Sequence, residues 1–384
     1  MTPSIREARQ QLIRLKSWLC DKAYPIWWEK GADHALGGFH EKIDQNGQPV
    51  VLPKRARVQP RQIYAFSQAQ KLGWSGDGRA VVRFGVDFYL PHYRREDGLF
   101  RTLVAPDGAP LDDQAAFYDQ AFALFGLHAA YQALDGEIRF RDHARQLLAQ
   151  WQGTRKHPVI GYHDSAPHQL PLCANPHMHL FESCLAWAES DPPGPWRTCA
   201  DEIAELALTR LIDRRSGALR EFFDGDWRPV AGEQGRVIEP GHQFEWAWLL
   251  LRWGDLVGEA KARQAGMRLI EIAETHGVDP VRNVAFNGLR DDFAATDRKA
   301  RLWPQTERLK AHCLAAELTG EPAHWDKAAA AARGLMLYFD TKIAGLWWDM
   351  LTERDGFVAE PAPASSFYHI VCAIAEFDRA LAAI

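Results

Sequence analysis

The sequence predicts an all-α fold, an (α/α)6 barrel with short β-hairpins in the connecting loops. The first observation behind this prediction is a helical pattern that recurs six times, with starts about 60 residues apart. The second is a set of six amphipathic segments between those repeats, and the third is a hairpin signal in several linkers. A fixed period determines the architecture, since each repeat must bury its apolar face against its neighbours.

The first set of segments predicts the inner helices of the barrel. Each has a polar or proline-containing entrance, aromatic and ionisable residues in its first turn, and apolar residues at helical spacing after that. Glycines follow four of them, as expected where a helix ends in a left-handed residue. The six segments begin near Arg57, Gln114, Asn175, Pro240, Leu302 and Ala364, and the four glycines are Gly73, Gly136, Gly258 and Gly320.

The second set of segments predicts the outer helices, because charged residues are concentrated on one face of each segment. Such a helix buries one stripe and exposes the opposite face to water. The six stretches lie near residues 5–28, 77–93, 137–152, 196–213, 259–276 and 323–338.

Four linkers place a β-prone run before a Gly/Asp/Asn turn, which is a hairpin signal. They are GGFHEKIDQNGQPV, DGLFRTLVAPDGAP, GALREFFDGDWRPV and GLWWDMLTERDGFV. In a closed barrel these hairpins gather with the inner-helix N-termini at one end. An open helical solenoid is the alternative, but six pairs without a polar capping repeat fit closure better. No shift in composition divides the chain, so we expect one domain over residues 1–384.

Composition and charge exclude several classes of protein. The net charge of −5 comes from interspersed acidic and basic residues, which argues against a nucleic-acid or membrane partner. Residues 1–19 are unlike a secretory signal, and no apolar run approaches the roughly 18 residues of a bilayer span. The six cysteines form no CxxC pair, so they are expected to be free thiols in a reducing compartment. We therefore expect a soluble, cytoplasmic protein.

Polar residues recur at nearly the same phase of each inner helix, close to its entrance. In a closed barrel that phase faces one cavity, and convergent histidines, carboxylates and an arginine are what a catalytic pocket needs. These residues are Arg61, Tyr118, Asp119, Asn175, His177, His179, Glu182, His242, Glu245, Trp303, Gln305, Glu307 and His369.

His242 is the histidine with the most distinctive context. It follows Pro240-Gly241 at a helix start, and Glu245 lies three residues on, so both side chains share one face. A structural interpretation is a helix cap with a carboxylate favoured by the helix dipole. The functional interpretation is an imidazole whose basicity and tautomer are set by the neighbouring carboxylate.

Metal and cofactor chemistry is not expected. The spacing of His179 and Glu182 suits zinc or manganese, but His177 and His179 are two apart and point to different sides of a helix. The chain has no GxSxG elbow, no phosphate-binding GxxxxGK[ST] loop and no GxGxxG after a strand. Trp303 shares the phase of the polar groups, and both it and Trp348 are candidate sugar platforms as well as candidate core residues.

A glycoside hydrolase is a second class that this fold accommodates. It requires two carboxylates about 5–10 Å apart across the cavity, and Glu245, Glu307 and Asp119 are the candidates. The convergent set is richer in histidine than in paired acids, which favours proton transfer at carbon. A catalytically silent sugar-binding barrel is a third hypothesis.

Five motifs together resemble the N-acylglucosamine 2-epimerase family, which also contains mannose isomerase, sulfoquinovose isomerases and cellobiose 2-epimerase. The resemblance covers almost the whole chain, and GHxFEWA with a late YH pair is its most specific part. The motifs, in order, are QPRQIYAF, NPHMHLFE, PGHQFEWAWLL, LWPQTE and SSFYHI.

The resemblance implies a metal-independent barrel that acts on a reducing sugar. It implies that His242 and His369 are the acid and base, and that Glu245 is the carboxylate beside the catalytic histidine. It also implies that Asn175 and His179 contact the substrate and that Arg61 is the active-site arginine. The expected catalytic set is His242, His369, Glu245, His179 and Arg61. The expected substrate-binding set is Asn175, Tyr118, Trp303, Asp119, Glu307 and Trp348.

The chemistry expected of these residues is proton transfer at the carbon next to the sugar carbonyl. One histidine assists ring opening, and a base then removes the C2 proton of the open aldose to give a cis-enediolate. We expect His369 to be the C2 base and His242 the ring opener and partner acid. Arg61 and a protonated His179 are expected to stabilise the oxyanion. Return of the proton to C1 gives a ketose, whereas return to the opposite face of C2 gives the epimer.

The motif WPQTE and the loop PAPASSFYHI are similar to the bacterial mannose-isomerase branch, so interconversion of D-mannose and D-fructose is the expected reaction. A 2-epimerase is the alternative. A sulfonated or phosphorylated sugar stays open because Lys54, Arg55 and Arg57 precede Arg61, although a solvated loop also accounts for them. A homodimer is the family expectation.

Overall fold

The structure, a computed structural model, describes residues 2–384. Its helices occur in the predicted order, and every inner helix begins within three residues of its predicted start. The helices are α1 (Pro3–Trp18), α2 (Tyr24–Glu29), α3 (Val58–Ser67), α4 (Ala69–Leu72), α5 (Gly78–Tyr93), α6 (Phe117–Ala133), α7 (Ile138–Arg155), α8 (Ala174–Ser190), α9 (Trp196–Leu206), α10 (Pro240–Val257), α11 (Ala260–His276), α12 (Trp303–Thr319), α13 (Pro322–Leu337) and α14 (Ser365–Ala382).

Six of these helices form a closed inner ring. Helices α3, α6, α8, α10, α12 and α14 pack consecutively, and α14 packs back against α3. The outer helices are α1, α5, α7, α9, α11 and α13, and each packs on an inner helix. The (α/α)6 barrel is therefore confirmed, and the open solenoid is excluded because the first and last inner helices touch.

Two outer helices contain π-helical turns that the sequence pattern did not predict. Leu19–Ala23 joins α1 to α2, and Ala207–Leu211 extends α9. Left-handed glycines end α4, α10 and α12, with φ values of 105° at Gly73, 74° at Gly258 and 70° at Gly320. Glycine accepts this conformation without a Cβ clash, which is why these helices stop there.

Short antiparallel strands surround the N-terminal ends of the inner helices. The first hairpin, β1–β2, also pairs with β15 just before α14, so the strands tie the start of the chain to its end. The strands are β1 (Lys42–Ile43), β2 (Pro49–Val50), β3 (Lys54–Arg55), β4 (Leu103–Val104), β5 (Pro110–Asp112), β6 (Leu172–Cys173), β7 (Phe222–Phe223), β8 (Val237–Ile238), β9 (Val278–Asp279), β10 (Val284–Ala285), β11 (Gly288–Arg290), β12 (Ala295–Asp297), β13 (Ala300–Arg301), β14 (Met350–Leu351) and β15 (Ala362–Pro363).

A repeated side-chain clamp fixes the rotation of four inner helices. In each, a buried glutamine near the helix start accepts a hydrogen bond from a backbone N–H in the preceding loop and donates one to the C=O of the same residue. Buried backbone groups need such partners, and the glutamine amide satisfies both at once. The pairs are Gln59 with Phe39, Gln120 with Phe100, Gln243 with Leu219, and Gln305 with Ala285.

The other two inner helices use different side chains at the same position. His177 accepts the N–H of Tyr162 through Nε2 at 3.0 Å, and Phe367 stacks on Trp347 with ring centroids 5.6 Å apart. The six residues two positions after these clamps consequently meet near the barrel axis. We call this set the axial ring; it consists of Arg61, Phe122, His179, Glu245, Glu307 and His369.

None of the helices within residues 2–384 is long and apolar enough to cross a membrane. The six cysteines are all free thiols, as the sequence predicts, and four of them are buried.

The clamp predicts a stability change at Gln243. The Gln243→Leu variant leaves the buried N–H and C=O of Leu219 without partners, at a cost of about 1–3 kcal/mol for each group. We expect the free energy of unfolding, measured by urea denaturation, to fall accordingly. The control is Gln264→Leu on the exposed face of α11, which is expected to change it by less than about 0.5 kcal/mol. Equal losses in both variants would contradict the clamp.

Candidate active site

The axial ring is a continuous chain of contacts among buried side chains. The guanidinium of Arg61 lies 4.1 Å from the ring centre of Phe122, and the Phe122 ring lies 4.4 Å from that of His179. His179 Nδ1 is 3.8 Å from Glu245 Oε1. One carboxyl oxygen each of Glu245 and Glu307 and one ring nitrogen of His369 all lie within 4.8 Å of one another. The structure therefore brings the predicted catalytic residues of this ring together.

A second layer lies one helical turn nearer the inner-helix N-termini. Arg61 Nη2 donates to the hydroxyl of Tyr118 at 2.5 Å. The indole of Trp303 is 5.1 Å from the imidazole of His242 and 5.7 Å from that of His369, measured between ring centroids. Within residues 2–384, the buried Arg61 Nε and Asn175 Oδ1 have no hydrogen-bond partner. Unpartnered buried polar atoms of this kind are available to a bound ligand.

His242 is held as a cation by carboxylates. Its Nδ1–H donates to Glu221 Oε2 at 3.0 Å, and Glu239 Oε2 lies 3.7 Å away. Burial alone would lower the pKa of His242, but Glu221 and Glu239 outweigh burial and raise it to about 10. The expectation that Glu245 is the carboxylate beside His242 is wrong, because the side chain of Glu245 turns to the axial ring and Glu221 occupies that place.

His369 has the opposite electrostatic character. Burial lowers its pKa, and a hydrogen bond from Nδ1–H to Glu307 Oε1 at 2.9 Å offsets this only in part. Burial would raise the pKa of Glu307, but Lys310 and His369 lower it to about 2, so Glu307 is ionised. At neutral pH His369 is therefore an uncharged imidazole whose Nδ1 is occupied, which leaves Nε2 as the nitrogen available to a substrate.

Glu245 is a neutral acid in this arrangement. Burial and the nearby carboxylate of Glu307 raise the pKa of Glu245 well above its usual value. Two carboxyl groups this close do not both ionise. The ammonium of Lys310 contacts Glu307, which therefore is the one that ionises. A protonated Glu245 can donate a hydrogen bond, as a buried neutral carboxylic acid does in an oxyanion site.

His179 also differs from its predicted charge state. Its Nδ1 lies 3.5 Å from Glu182 Oε2, yet burial lowers the pKa of His179 to about 4 despite that carboxylate. The expectation of a protonated His179 is therefore wrong at neutral pH. As a neutral imidazole with its Nδ1–H directed at Glu182, His179 presents Nε2, which can accept a hydrogen bond from a substrate hydroxyl.

Two predicted substrate contacts do not reach the axial ring. Trp348 stacks on Phe357 and donates from Nε1 to the C=O of Asp340. The carboxylate of Asp119 is fully buried and accepts from Arg57 Nε at 2.9 Å, so it orients that arginine. Neither side chain contacts His242 or His369 in the described part of the chain.

The basic run before Arg61 is neither a solvated loop nor a free anion site. Lys54 is buried and donates to Asp33 at 2.8 Å. Its two basic neighbours are also paired, Arg55 with Glu41 and Arg57 with Asp119. Each cation therefore already has a carboxylate partner.

Sequence reasoning missed Glu221, Phe122 and Lys310 as parts of the site. The loops carry a repeat of their own that points to Glu221. In each loop, a polar residue follows two positions after the residue that contacts the inner helix. Aligning the six loop sequences with one another would have revealed Glu221. These polar residues are Glu41, Thr102, Asp164, Glu221, Asn287 and Asp349.

Potential metal ligands are present in the axial ring. His179, Glu182 and Glu245 form one group with donor atoms within 4.8 Å, and Glu245, Glu307 and His369 form another. The ammonium of Lys310 lies 2.7 Å from Glu307, where it supplies positive charge to these carboxylates. A divalent cation would be repelled by that ammonium, so the residues fit a metal poorly.

The charge state of His242 can be tested directly. Glu221→Gln removes the carboxylate that most raises the His242 pKa, which we expect to fall by about 1–3 units. The measurement is an NMR titration of ¹⁵N-histidine-labelled protein. Glu239→Gln is the matched control, because Glu239 is farther from His242 and more exposed than Glu221, and its shift should be smaller. A larger shift with Glu239→Gln would contradict this assignment.

The chain matches the family model described as N-acylglucosamine 2-epimerase (GlcNAc 2-epimerase) over residues 37–373. It is 45% identical over 378 residues to mannose-6-phosphate isomerase of Rhizobium meliloti (strain 1021), covering 97% of both chains.

Two solved structures have the same fold. The cellobiose 2-epimerase from Spirochaeta thermophila DSM 6192 matches with a TM-score of 0.87 and 23% identity, covering 100% of this chain and 99% of that one. A D-mannose isomerase matches with a TM-score of 0.87 and 18% identity, covering 96% and 97%. The chain belongs to the N-acylglucosamine 2-epimerase family, and it is an isomerase or epimerase.

Proposed function

We propose that this enzyme is an aldose–ketose isomerase that interconverts D-mannose and D-fructose through a cis-enediolate. The main support for this proposal is that Trp303 contacts two histidines of different charge, the cationic His242 and the neutral His369. His242 has a pKa raised to about 10, whereas the pKa of His369 is lowered by burial. A proton donor and a proton acceptor at one site are what ring opening followed by C2 deprotonation requires.

The reaction follows from these charge states. His242 gives a proton to the ring oxygen as the bond between C1 and that oxygen breaks. The C1 hydroxyl loses its proton to solvent, which leaves the aldehyde, and solvent reprotonates His242. His369 Nε2 takes the C2 proton, and the electron pair of the C–H bond forms the C1–C2 double bond of the enediolate. Arg61 and the hydroxyl of Tyr118 supply donors to the developing oxyanion. The proton of the C2 hydroxyl passes to O1 as the C2 carbonyl forms, and His369 returns its proton to C1, which gives the ketose.

The asymmetry of the two histidines supports an isomerase over a 2-epimerase. Epimerisation in both directions needs a base on each face of C2, so each histidine would have to act as a base in turn. A pKa of about 10 leaves only about one His242 in 10³ deprotonated at pH 7. A single efficient base serves proton transfer between C2 and C1. The 2-epimerase alternative, of the N-acylglucosamine or mannose/glucose type, is supported by the family's name.

The carboxylates of the site give little support to a glycoside hydrolase. A carboxyl oxygen of Glu245 lies within 4.8 Å of one of Glu307, and Glu307 is paired with both Lys310 and His369. Asp119 is engaged by Arg57. Retaining and inverting hydrolases use two carboxyl groups at about 5–10 Å, one of them free to attack or to activate water.

Pairing of the basic residues supports an uncharged sugar as substrate. Lys54, Arg55 and Arg57 each have a carboxylate partner, so a substrate phosphate would have to displace one. The name of the Rhizobium meliloti relative favours mannose 6-phosphate as the second candidate. We further propose that the enzyme works in the cytoplasm as a homodimer and without a cofactor.

The test is a proton NMR time course in deuterated water with D-mannose, D-glucose, D-fructose, N-acetylglucosamine and mannose 6-phosphate offered separately. We expect mannose to give fructose. His369→Gln should lower the rate by about 10²–10⁴-fold, the usual contribution of general acid–base catalysis. His128→Gln is the control, since His128 lies six residues beyond Phe122 on α6, is half-buried against Ser190, and should keep the wild-type rate.

Glucose formed from mannose ahead of fructose would make the enzyme a 2-epimerase. Turnover of mannose 6-phosphate alone would make the phosphorylated sugar the substrate. Normal turnover by His369→Gln, or no turnover of any of these sugars, would contradict the proposed mechanism.

Metal independence gives a separate prediction. Because the ammonium of Lys310 lies among the carboxylates that would hold a cation, exhaustive dialysis against a chelator should leave kcat/KM unchanged. Activity is compared before dialysis, after it, and after addition of zinc or manganese. Loss of activity on dialysis with recovery on addition of metal would contradict the prediction.

A further inference from the structure

A third layer of side chains lies below the axial ring, three positions further along each inner helix. The layer separates the candidate site from a cavity of about 910 Å³ at the C-terminal end of the inner helices. Five of its six members line that cavity, and Lys310 is the exception. We call this layer the floor ring; it consists of Tyr64, Phe125, Glu182, Trp248, Lys310 and Cys372.

Lys310 is directed towards the axial ring. Its Nζ lies 2.7 Å from Glu307 Oε2, and neither side chain is exposed to solvent. The ammonium also sits 4.0 Å from the ring centre of Trp248, a favourable cation–π distance. A lysine is almost never fully buried unless it is paired, and Lys310 is buried only because Glu307 and Trp248 compensate its charge.

The groups around Lys310 keep it charged. Burial would lower the pKa of Lys310, but the ionised carboxylates of Glu307 and Glu182 outweigh burial and raise it well above its usual value. The thiol of Cys372 and the neutral acid of Glu245 also face the ammonium. These groups come from α8, α10, α12 and α14. Lys310 is thus a fixed positive charge throughout the pH range in which His369 titrates.

We propose that Lys310 is a positioning residue that acts through Glu307 on His369. Glu245 and Glu307 compete for one proton, and the ammonium of Lys310 directs that proton to Glu245. Glu307 stays a carboxylate, accepts the Nδ1–H of His369, and so keeps Nε2 unprotonated towards the substrate. The expected effect of Lys310 on kcat rests on the proposed function, whereas its expected effect on the tautomer of His369 does not.

The test compares two buried lysines. In Lys310→Met, Glu307 loses its counter-ion and takes up a proton near neutral pH. We expect kcat at pH 7 to fall by about 10²-fold and to recover as the pH rises and Glu307 ionises. Lys54→Met removes a comparable buried ion pair with Asp33 away from His369, and it should lower the melting temperature but keep kcat and its pH profile.

A double variant isolates the path through Glu307. If Lys310 acts only through the charge of Glu307, adding Lys310→Met to Glu307→Gln should lower kcat no further. Should Lys310→Met fail to fold, Lys310→Gln replaces it with the same expectations. A variant of Lys310 that melts earlier but keeps the wild-type kcat and pH profile would overturn the proposal, since that is the behaviour of a structural lysine.

A readout that does not need turnover separates this proposal from the proposed function. In ¹⁵N-histidine NMR spectra at pH 7, wild-type His369 should be the Nδ1–H tautomer, and Lys310→Met should change its tautomer or its pKa. This change in a protein that isomerises no sugar would support the role of Lys310 while the isomerase assignment fails. An unchanged His369 spectrum would overturn the role of Lys310 whatever the substrate.

Discussion

The rest of the structure depends on the contact between each hairpin loop and the first turns of the inner helix that follows it. In four repeats a glutamine side chain bonds both backbone groups of one loop residue, as Gln243 does with Leu219. This contact fixes the rotation of the helix about its own axis. The residue two positions later is then forced to the barrel axis, which is why six separate segments supply one continuous ring of side chains.

The loops also contribute to the charges within the site. The loop residue Glu221, with Glu239, makes His242 a cation. His369 has a carboxylate partner too, Glu307, but burial and the positive charges of Arg61 and Lys310 keep the pKa of His369 below its usual value. Burial alone would lower both pKa values, so the balance of neighbouring charges decides which histidine gives a proton and which takes one.

The sequence predicted the barrel, the order of its helices and most of the axial ring, because a 60-residue period and helical phase are local properties. It predicted Glu245 as the partner of His242 because the two residues are three apart on one helix and therefore share a face. The partner is Glu221, twenty-one residues earlier, and a contact of that kind depends on the tertiary fold. The neutral state of His179 was missed for a similar reason, because burial is a property of the whole ring. That residues 1–384 form a single domain stays a prediction.

The proposed chemistry requires that His242 and His369 hold different numbers of protons at the same pH. Neutron diffraction from a crystal grown in deuterated buffer near pH 7 locates those protons directly. We expect deuterium on both nitrogens of His242, on Nδ1 alone of His369, and none on Glu307. A neutral His242, or deuterium on Nε2 of His369, would mean that the two histidines do not divide the roles of acid and base in this way.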